Sequence, residues 1–289
     1  MSIADTQSSE TAYPSQAALL PVLYQAEGQS WWSRGMRAIS HALLDGLPLP
    51  AGPILELGCG GGAFIAEVAE RSPKRLALGL DLHPVALATV AGKTQAFGNL
   101  QAIGANVHRL PLRDDSCALV VGLDVLDQAE VDLPAALAEA QRILKPGGWL
   151  LLRVSAYDWL ASPHDQDFGT GRRYSSNDLR QILLDGSGWR IRRLTYANTV
   201  LLPLVAVARL AERRGWLTTG AGLETHVILG RKLQGVLEAE ARWLHRRSLP
   251  AGVSLYALAQ KIALEGSALG TGDAPFTAGA PAGRRSMKN

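Results

Sequence analysis

The stretch Ile54-Leu55-Glu56-Leu57-Gly58-Cys59-Gly60-Gly61-Gly62-Ala63-Phe64 runs from apolar residues through a glycine cluster into a helix-forming segment. The pattern predicts a buried strand, a sharp turn and a helix start, because glycine tolerates positive φ and carries no Cβ to keep a ligand off the backbone. The helix that follows offers N–H groups with no intrahelical acceptor. Gly58, Gly60 and Ala63 also satisfy the G-x-G-x-x-G/A spacing of dinucleotide sites, so the loop alone leaves two cofactor classes open. Glu56 separates them: a carboxylate two residues before the first glycine suits a cationic amino-acid group and opposes a diphosphate.

Working outward, short apolar runs alternate with helical segments. Strands are expected at Pro53–Leu57, Leu76–Asp81, Leu100–Ala105, Ala118–Leu123 and Trp149–Val154, with helices at Ala63–Arg71, Pro84–Phe97 and Leu133–Leu144. Nearly continuous apolar strands separated by helices predict an α/β fold, a mostly parallel sheet covered on both faces. Trp189–Ala197 and Val253–Gln260 would complete about seven strands. The residues between those two, 197–247, include apolar Thr199–Leu210 and helical Val227–Arg246, and are expected to form an inserted helical lid. Residues 1–20 and 266–289 are rich in small and polar residues and are expected to be disordered tails around a 21–265 domain.

The chain has 289 residues, 47% of them hydrophobic, enough for one α/β domain with an elaborate insertion. Its net charge is only +3, yet residues 1–159 hold 11 Lys/Arg against 16 Asp/Glu and residues 160–289 hold 18 against 10. The basic charges are interspersed with acids, which fits a solvated surface as well as an anionic partner. Cys59 and Cys117 form no metal-ligand spacing, so neither a disulfide nor a metal is expected. The first twenty residues lack a basic stretch followed by an apolar one, which makes a cytoplasmic location the expectation. Thr199–Leu210 is too short to span a bilayer and is interrupted by Pro203 and Arg209.

Several further motifs follow the glycine loop in order. Asp81 closes the second strand; Ala105-Asn106-Val107 follows the third. Leu110-Pro111-Leu112-Arg113-Asp114-Asp115-Ser116 precedes the fourth, and Leu144-Lys145-Pro146-Gly147-Gly148 precedes the fifth. The ordered set E-x-G-x-G-x-G, strand-end acid, L-P-x-x-D-x-S and L-K-P-G-G resembles the class I S-adenosylmethionine-dependent methyltransferases of the UbiE/type 11 group, which have a Rossmann-like sheet. The likeness covers roughly residues 24–262 and extends to a bacterial subgroup. This subgroup is marked here by Glu27 with Trp31 and Trp32, by His164-Asp165, by Arg172-Arg173-Tyr174, and by Ser248-Leu249-Pro250-Ala251-Gly252-Val253-Ser254. Where the subgroup carries histidines, this chain has Gln128 and Gly171.

The resemblance implies that Glu56, Gly58, Cys59, Gly60 and Gly62 line the methionine end of S-adenosylmethionine and that Asp81 holds the ribose. It places Leu82 and Val107 about the adenine, Asn106 on the exocyclic amine and Leu123 near the ribose or methionine. Trp31, Trp32, Tyr157 and Arg173 are candidates for contacting an acceptor, with core packing or lid anchoring as the other reading of these side chains. His164 is a candidate base, oriented by Asp165 and joined by Tyr174; alternatively the His164-Asp165 pair makes turn hydrogen bonds or anchors Arg172 or Arg173. Methyl transfer from a sulfonium depends chiefly on alignment, so a dedicated base is optional.

The function expected is methyl transfer from S-adenosylmethionine to a small-molecule acceptor, hydrophobic or a specialised metabolite, by a monomer or homodimer. The alternative is a non-catalytic S-adenosylmethionine-binding or partner module. A nucleic-acid substrate is not expected, since the chain has no N-P-P-Y-type tetrad and no basic stripe interleaved with aromatics. Thr199–Leu210, flanked by Arg209, Arg213 and Arg214, would either pack across the pocket mouth or make peripheral membrane contact.

Overall fold

The computed structural model describes residues 24, 28, 30–161, 165, 169–186, 188–216 and 227–262. Helix α1 (Trp31–Leu44) leads into β1 (Ile54–Leu57), α2 (Ala63–Arg71), β2 (Ala77–Asp81), α3 (Pro84–Lys93) and β3 (Leu100–Gly104). Next come β4 (Cys117–Leu123), α4 (Leu133–Ile143), β5 (Leu144–Ser155), a 3₁₀ turn (Asp158–Leu160) and α5 (Ser176–Asp185). The chain closes with β6 (Trp189–Ala197), α6 (Leu202–Arg213), α7 (Val227–Leu244) and β7 (Ser254–Lys261). The seven strands lie in the order β3-β2-β1-β4-β5-β7-β6. β1 to β5 run parallel, and β7 is antiparallel to both β5 and β6.

Strand residues alternate between two apolar layers, which is why the strands read as unbroken apolar runs. Leu55, Leu57, Val120, Leu150 and Leu152 face a layer closed by Leu137 of α4 and by Leu179 and Leu183 of α5. Ile54, Leu119, Val121, Leu151 and Tyr256 face the other, where α1, α2 and α7 contribute Met36, Ile65 and Leu237.

Several boundaries differ from the sequence reading. Helix α3 ends at Lys93, short of Phe97, and the Thr94 hydroxyl caps its last turn by donating to the Ala91 carbonyl at 2.7 Å. Strand β5 starts at Leu144, because Leu144 already pairs with Cys117 before the register resumes at Leu119 and Trp149. Helix α5 is an element beyond those expected from the apolar pattern, and its start is set by a reciprocal capping box of Ser175 and Asp178, an S-x-x-D motif.

The insertion divides into two unlike helices. No residue of α6 is buried. In α7, Leu237, Ala241 and Leu244 are buried in the same layer as Met36, Ile39 and Leu43 of α1. Gly35 permits the close approach, since a Cβ there would lie 2.6 Å from the Leu237 Cβ. The buried Glu240 carboxylate ties α7 to the end of β6 by accepting the backbone N–H groups of Asn198 and Thr199. Glu27, His164 and both predicted tails lie outside the described residues.

Candidate functional site

The sheet order turns back between β1 and β4: from β1 the chain proceeds to β2 on one side, then returns to the other side as β4. Connections that leave in opposite directions open a crevice at the carboxyl ends of such strands. The glycine loop occupies this position. Gly58, Gly60 and Gly62 have φ of 61°, 50° and 68°, the left-handed region that a side chain disfavours. The loop is held by Cys59 N–H donating to the Leu80 carbonyl at 2.9 Å and by Gly60 N–H donating to Asp81 Oδ2 at 2.9 Å. Asp81 Oδ1 accepts the His83 N–H at 2.8 Å, and the His83 ring caps α3 through Val85 N–H.

The loop glycines do more than admit a ligand. A Cβ on Gly58 would lie 2.4 Å from Val125 Cγ2 and one on Gly62 2.5 Å from Val90 Cγ2, so both positions are closed by the protein's own side chains. Besides the positive φ and the ligand access expected of Gly58, packing against Val125 demands glycine there in its own right.

Glu56, 4% exposed, shares the face of β1 with Ile54, beneath α1 and α2. The Cys59 thiol is buried and pushed well above its usual range, first by burial and then by the Glu56 and Asp81 carboxylates. A thiol so protonated is no nucleophile.

Leu82 is 64% exposed directly beside Asp81, an apolar surface available for stacking. Asn106 is also exposed, its Oδ1 accepting the His108 N–H at 2.8 Å, and Val107 is buried in the core cluster. Leu123 is half-buried at the end of β4. Trp31 and Trp32 meet edge to face with centroids 5.8 Å apart and pack against the α1 layer.

In the segment after β5 the Asp165 side chain meets Arg173, the arrangement of one of the two readings that the sequence left open. Arg173 is buried and pairs bidentately with Asp165 at 2.8 and 2.6 Å, while its Nη1 donates to the Ala156 carbonyl. Asp165 thus carries a guanidinium, and Arg173 is an anchor for the loop rather than a group presented to an acceptor. Tyr174 is 3% exposed, sits in the core and has its hydroxyl pKa raised, chiefly by burial. A buried phenol of raised pKa is a poor base near neutrality. Tyr157 has φ 56° and stacks on Tyr196 at 5.0 Å and on the half-exposed Trp159 at 5.7 Å. The glycine at 171 is dictated locally: a Cβ there would lie 2.2 Å from the Ala129 Cα, so this backbone has no room for the subgroup's histidine.

Two acids emerge that the sequence did not single out. Asp124, with φ 56° at the end of β4, pairs with Arg153 at 2.8 and 2.5 Å. Arg153 reaches on to the Tyr256 hydroxyl, which bonds Ser40 of α1 at 2.9 Å. Asp127 is 2% exposed and accepts the Ser155 N–H at 2.7 Å, while its carbonyl accepts Gly171 and Arg172 N–H. Burial, then the Asp124 charge, pushes the Asp127 carboxyl up to about 6. These contacts knit the ends of β4 and β5 to the 169–174 segment.

A seven-stranded sheet of this order, with glycines after β1 and an acid ending β2, defines the class I S-adenosylmethionine-dependent methyltransferase fold. Residues 55–152 match the family described as a methyltransferase domain. Over 212 residues the chain is 28% identical to an uncharacterised 37.1 kDa transposon protein of Streptomyces fradiae, covering 70% of this chain and 58% of that one. It is 31% identical over 116 residues to the malonyl-[acyl-carrier protein] O-methyltransferase of a Marinomonas species, covering 40% of this chain and 43% of the relative. The chain thus spans about half the length of these curated relatives.

Among solved structures, a chain of the Haloferax volcanii Trm112 methyltransferase-activator complex aligns with a TM-score of 0.58 at 18% identity, covering 88% of this chain and all of that one. The Streptomyces coelicolor geranyl diphosphate C-methyltransferase, solved with S-adenosylhomocysteine, aligns at 0.52 and 16% identity, covering 78% and 77%. Among the described residues, no group of three or more His, Cys, Asp or Glu side chains could hold a metal ion.

Proposed function

We propose that the chain transfers the methyl group of S-adenosylmethionine to a small, largely apolar acceptor by in-line displacement. The observation that carries this reading is the juxtaposition of Glu56, three left-handed glycines and Asp81 at the crevice between β1 and β4. A cationic amino acid joined to a ribose and an adenine fits those groups: a buried carboxylate for the charged end, Asp81 for the ribose hydroxyls and exposed Leu82 against the base. When bound, S-adenosylmethionine supplies an electrophilic methyl carbon on a sulfonium.

The protein's own contribution is alignment and exclusion of water. The glycine loop, fixed through Gly60 and Cys59, keeps the binding groups preorganised, and aligned reactants reach effective molarities of about 10⁵ M or more. Asp165 serves Arg173 and Tyr174 is buried, so these two side chains position the loop rather than move a proton. An apolar acceptor is supported by the aromatic stack at Tyr157, Trp159 and Tyr196 and by the structural likeness to an enzyme whose substrate is geranyl diphosphate.

Calorimetric titration with S-adenosylhomocysteine tests the site. Removing one charged hydrogen-bond partner costs about 2 kcal/mol, so Glu56→Gln and Asp81→Asn should each weaken binding about 30-fold. Unchanged affinity in both variants would refute the reading. Release of S-adenosylhomocysteine with apolar carboxylic acids and phenols then tests turnover; binding without turnover across such a panel would favour a non-catalytic module.

A further inference from the structure

Ten large apolar side chains are exposed among the described residues, and six of them, Trp159, Val200, Leu204, Val207, Leu210 and Trp216, lie on α6, its flanks and the 158–160 turn. Arg213 joins the two elements, its Nε donating to the Ala161 carbonyl at 2.7 Å. The turn follows Tyr157 at the carboxyl end of β5, the edge of the sheet on which the crevice opens.

Helix α6 turns Val205 towards the α1 layer but leaves a second apolar face uncovered. Its charged pair, Arg209 and Glu212, is sheltered at 15% and 16% exposure, while Leu204, Val207 and Leu210 are 49%, 68% and 46% exposed. At 3.6 residues per turn, Pro203, Leu204, Val207, Leu210 and Arg214 fall within an arc of about 120°, the width that ordinarily faces a core. Here that arc faces outward. At its carboxyl end Arg213 and Arg214 are exposed, the Arg214 guanidinium lies 5.3 Å from the Trp216 ring centroid, and Trp216 is 72% exposed.

From this arrangement we propose that α6, with Trp159 and Trp216, is a docking face for an anionic lipid surface. Charge selects the occupant. Within residues 199–216 the acid is Glu212, already bonded to Arg209, and on the neighbouring turn Asp158 is exposed beside Trp159; the helix itself is therefore apolar with a cationic end at Arg213 and Arg214. Apolar side chains seated in the acyl boundary, an indole at the interface and arginines among headgroup phosphates are the chemistry of a helix lying in a membrane surface. No helix among the described residues is long and apolar enough to cross a membrane, so the helix lies on the surface. Docking there sets the carboxyl edge of the sheet against the bilayer, which would let an apolar acceptor arrive from lipid. That last consequence rests on the methyl-transfer reading; the docking does not.

Co-sedimentation of the full chain, without cofactor, on phosphatidylcholine vesicles with and without about 30 mol % phosphatidylglycerol tests the proposal. Binding is expected on the anionic vesicles and should weaken with salt. Arg214→Gln should lower partitioning about fivefold. The double variant Leu204→Glu/Val207→Glu should lower it more than about tenfold at unchanged melting temperature, because both side chains are exposed. Absence of wild-type binding to anionic vesicles, or binding unaltered by the double variant, would overturn the proposal. So would a concentration-dependent dimer that the double variant abolishes, which would make the face a contact between copies.

Discussion

Replacing Gly35 by alanine separates helix propensity from tertiary packing, and the two act with opposite sign. In an isolated helix the substitution stabilises by about 1 kcal/mol. Here the new Cβ would meet Leu237 Cδ1 at 2.4 Å, Cβ at 2.6 Å and Cγ at 3.0 Å. The first and third contacts can be relieved by a rotamer change; the second cannot, because a Cβ is fixed by its backbone. Carbon atoms pack at about 3.5–4.0 Å, so α1 and α7 must separate by about 1 Å. That movement loosens Met36, Ile39 and Leu43 from Leu237, Ala241 and Leu244 together, and overpacking of this kind costs about 3 kcal/mol at its upper end. The net expectation is a loss of about 2 kcal/mol, read in urea unfolding as a lower midpoint at unchanged slope. Leu237→Ala alone should cost about 2–5 kcal/mol, and the double variant should lose about 1 kcal/mol less than the sum, since only the Cβ clash remains. A Gly35→Ala protein more stable than the wild type would refute the reasoning, because propensity would then act without contact and α7 would not be a core helix.

Other predictions follow from the loop after β5 and from Asp127. Arg173→Met should destabilise by about 3–5 kcal/mol in chemical denaturation by stranding a buried carboxylate, and Arg173→Met/Asp165→Leu should recover much of it; equal losses in both would show that the pair is not coupled. The Asp127 carboxyl, raised to about 6 in the fold, binds its proton more tightly folded than unfolded. Its contribution to stability therefore falls as pH rises from about 4 to about 6 and is flat above that. Asp127→Asn keeps an acceptor for Ser155 N–H and removes the charge, so the variant should gain on the wild type by up to about 3 kcal/mol across that window. Parallel pH profiles for the two proteins would contradict the assignment. Gly171→His should cost more than about 2 kcal/mol in the same assay, given the Ala129 backbone against it; a stable variant would mean that the 169–174 segment is not seated as described.

Local sequence carried the parallel half of the fold. Apolar strand runs, the Gly58-Cys59-Gly60-Gly61-Gly62 turn and the acid ending β2 are decided by neighbours along the chain, and in the structure β1 to β5 are parallel as that reading implied. The helix Ser176–Asp185 was equally legible in its capping box. The cofactor-side candidates Glu56 and Asp81 could be named from their places at strand ends, and Leu82 from the family resemblance that the ordered motifs carry.

The remainder depends on residues far apart in sequence. Composition describes α6 and α7 alike as amphipathic; which apolar face finds a partner is settled by the absence of a side chain at Gly35, some two hundred residues before Leu237. Sequence leaves Arg173 open between acceptor contact and anchoring, and its bonds to Asp165 and the Ala156 carbonyl are visible only in the folded chain. The prominence of Asp124 and Asp127 arises only when β4 and β5 align and bring Arg153 and Ser155 beside them. Periodicity and turn chemistry are properties of a window of residues, whereas burial, and with it the ionisation and the partner of every charged side chain, is a property of the packed chain.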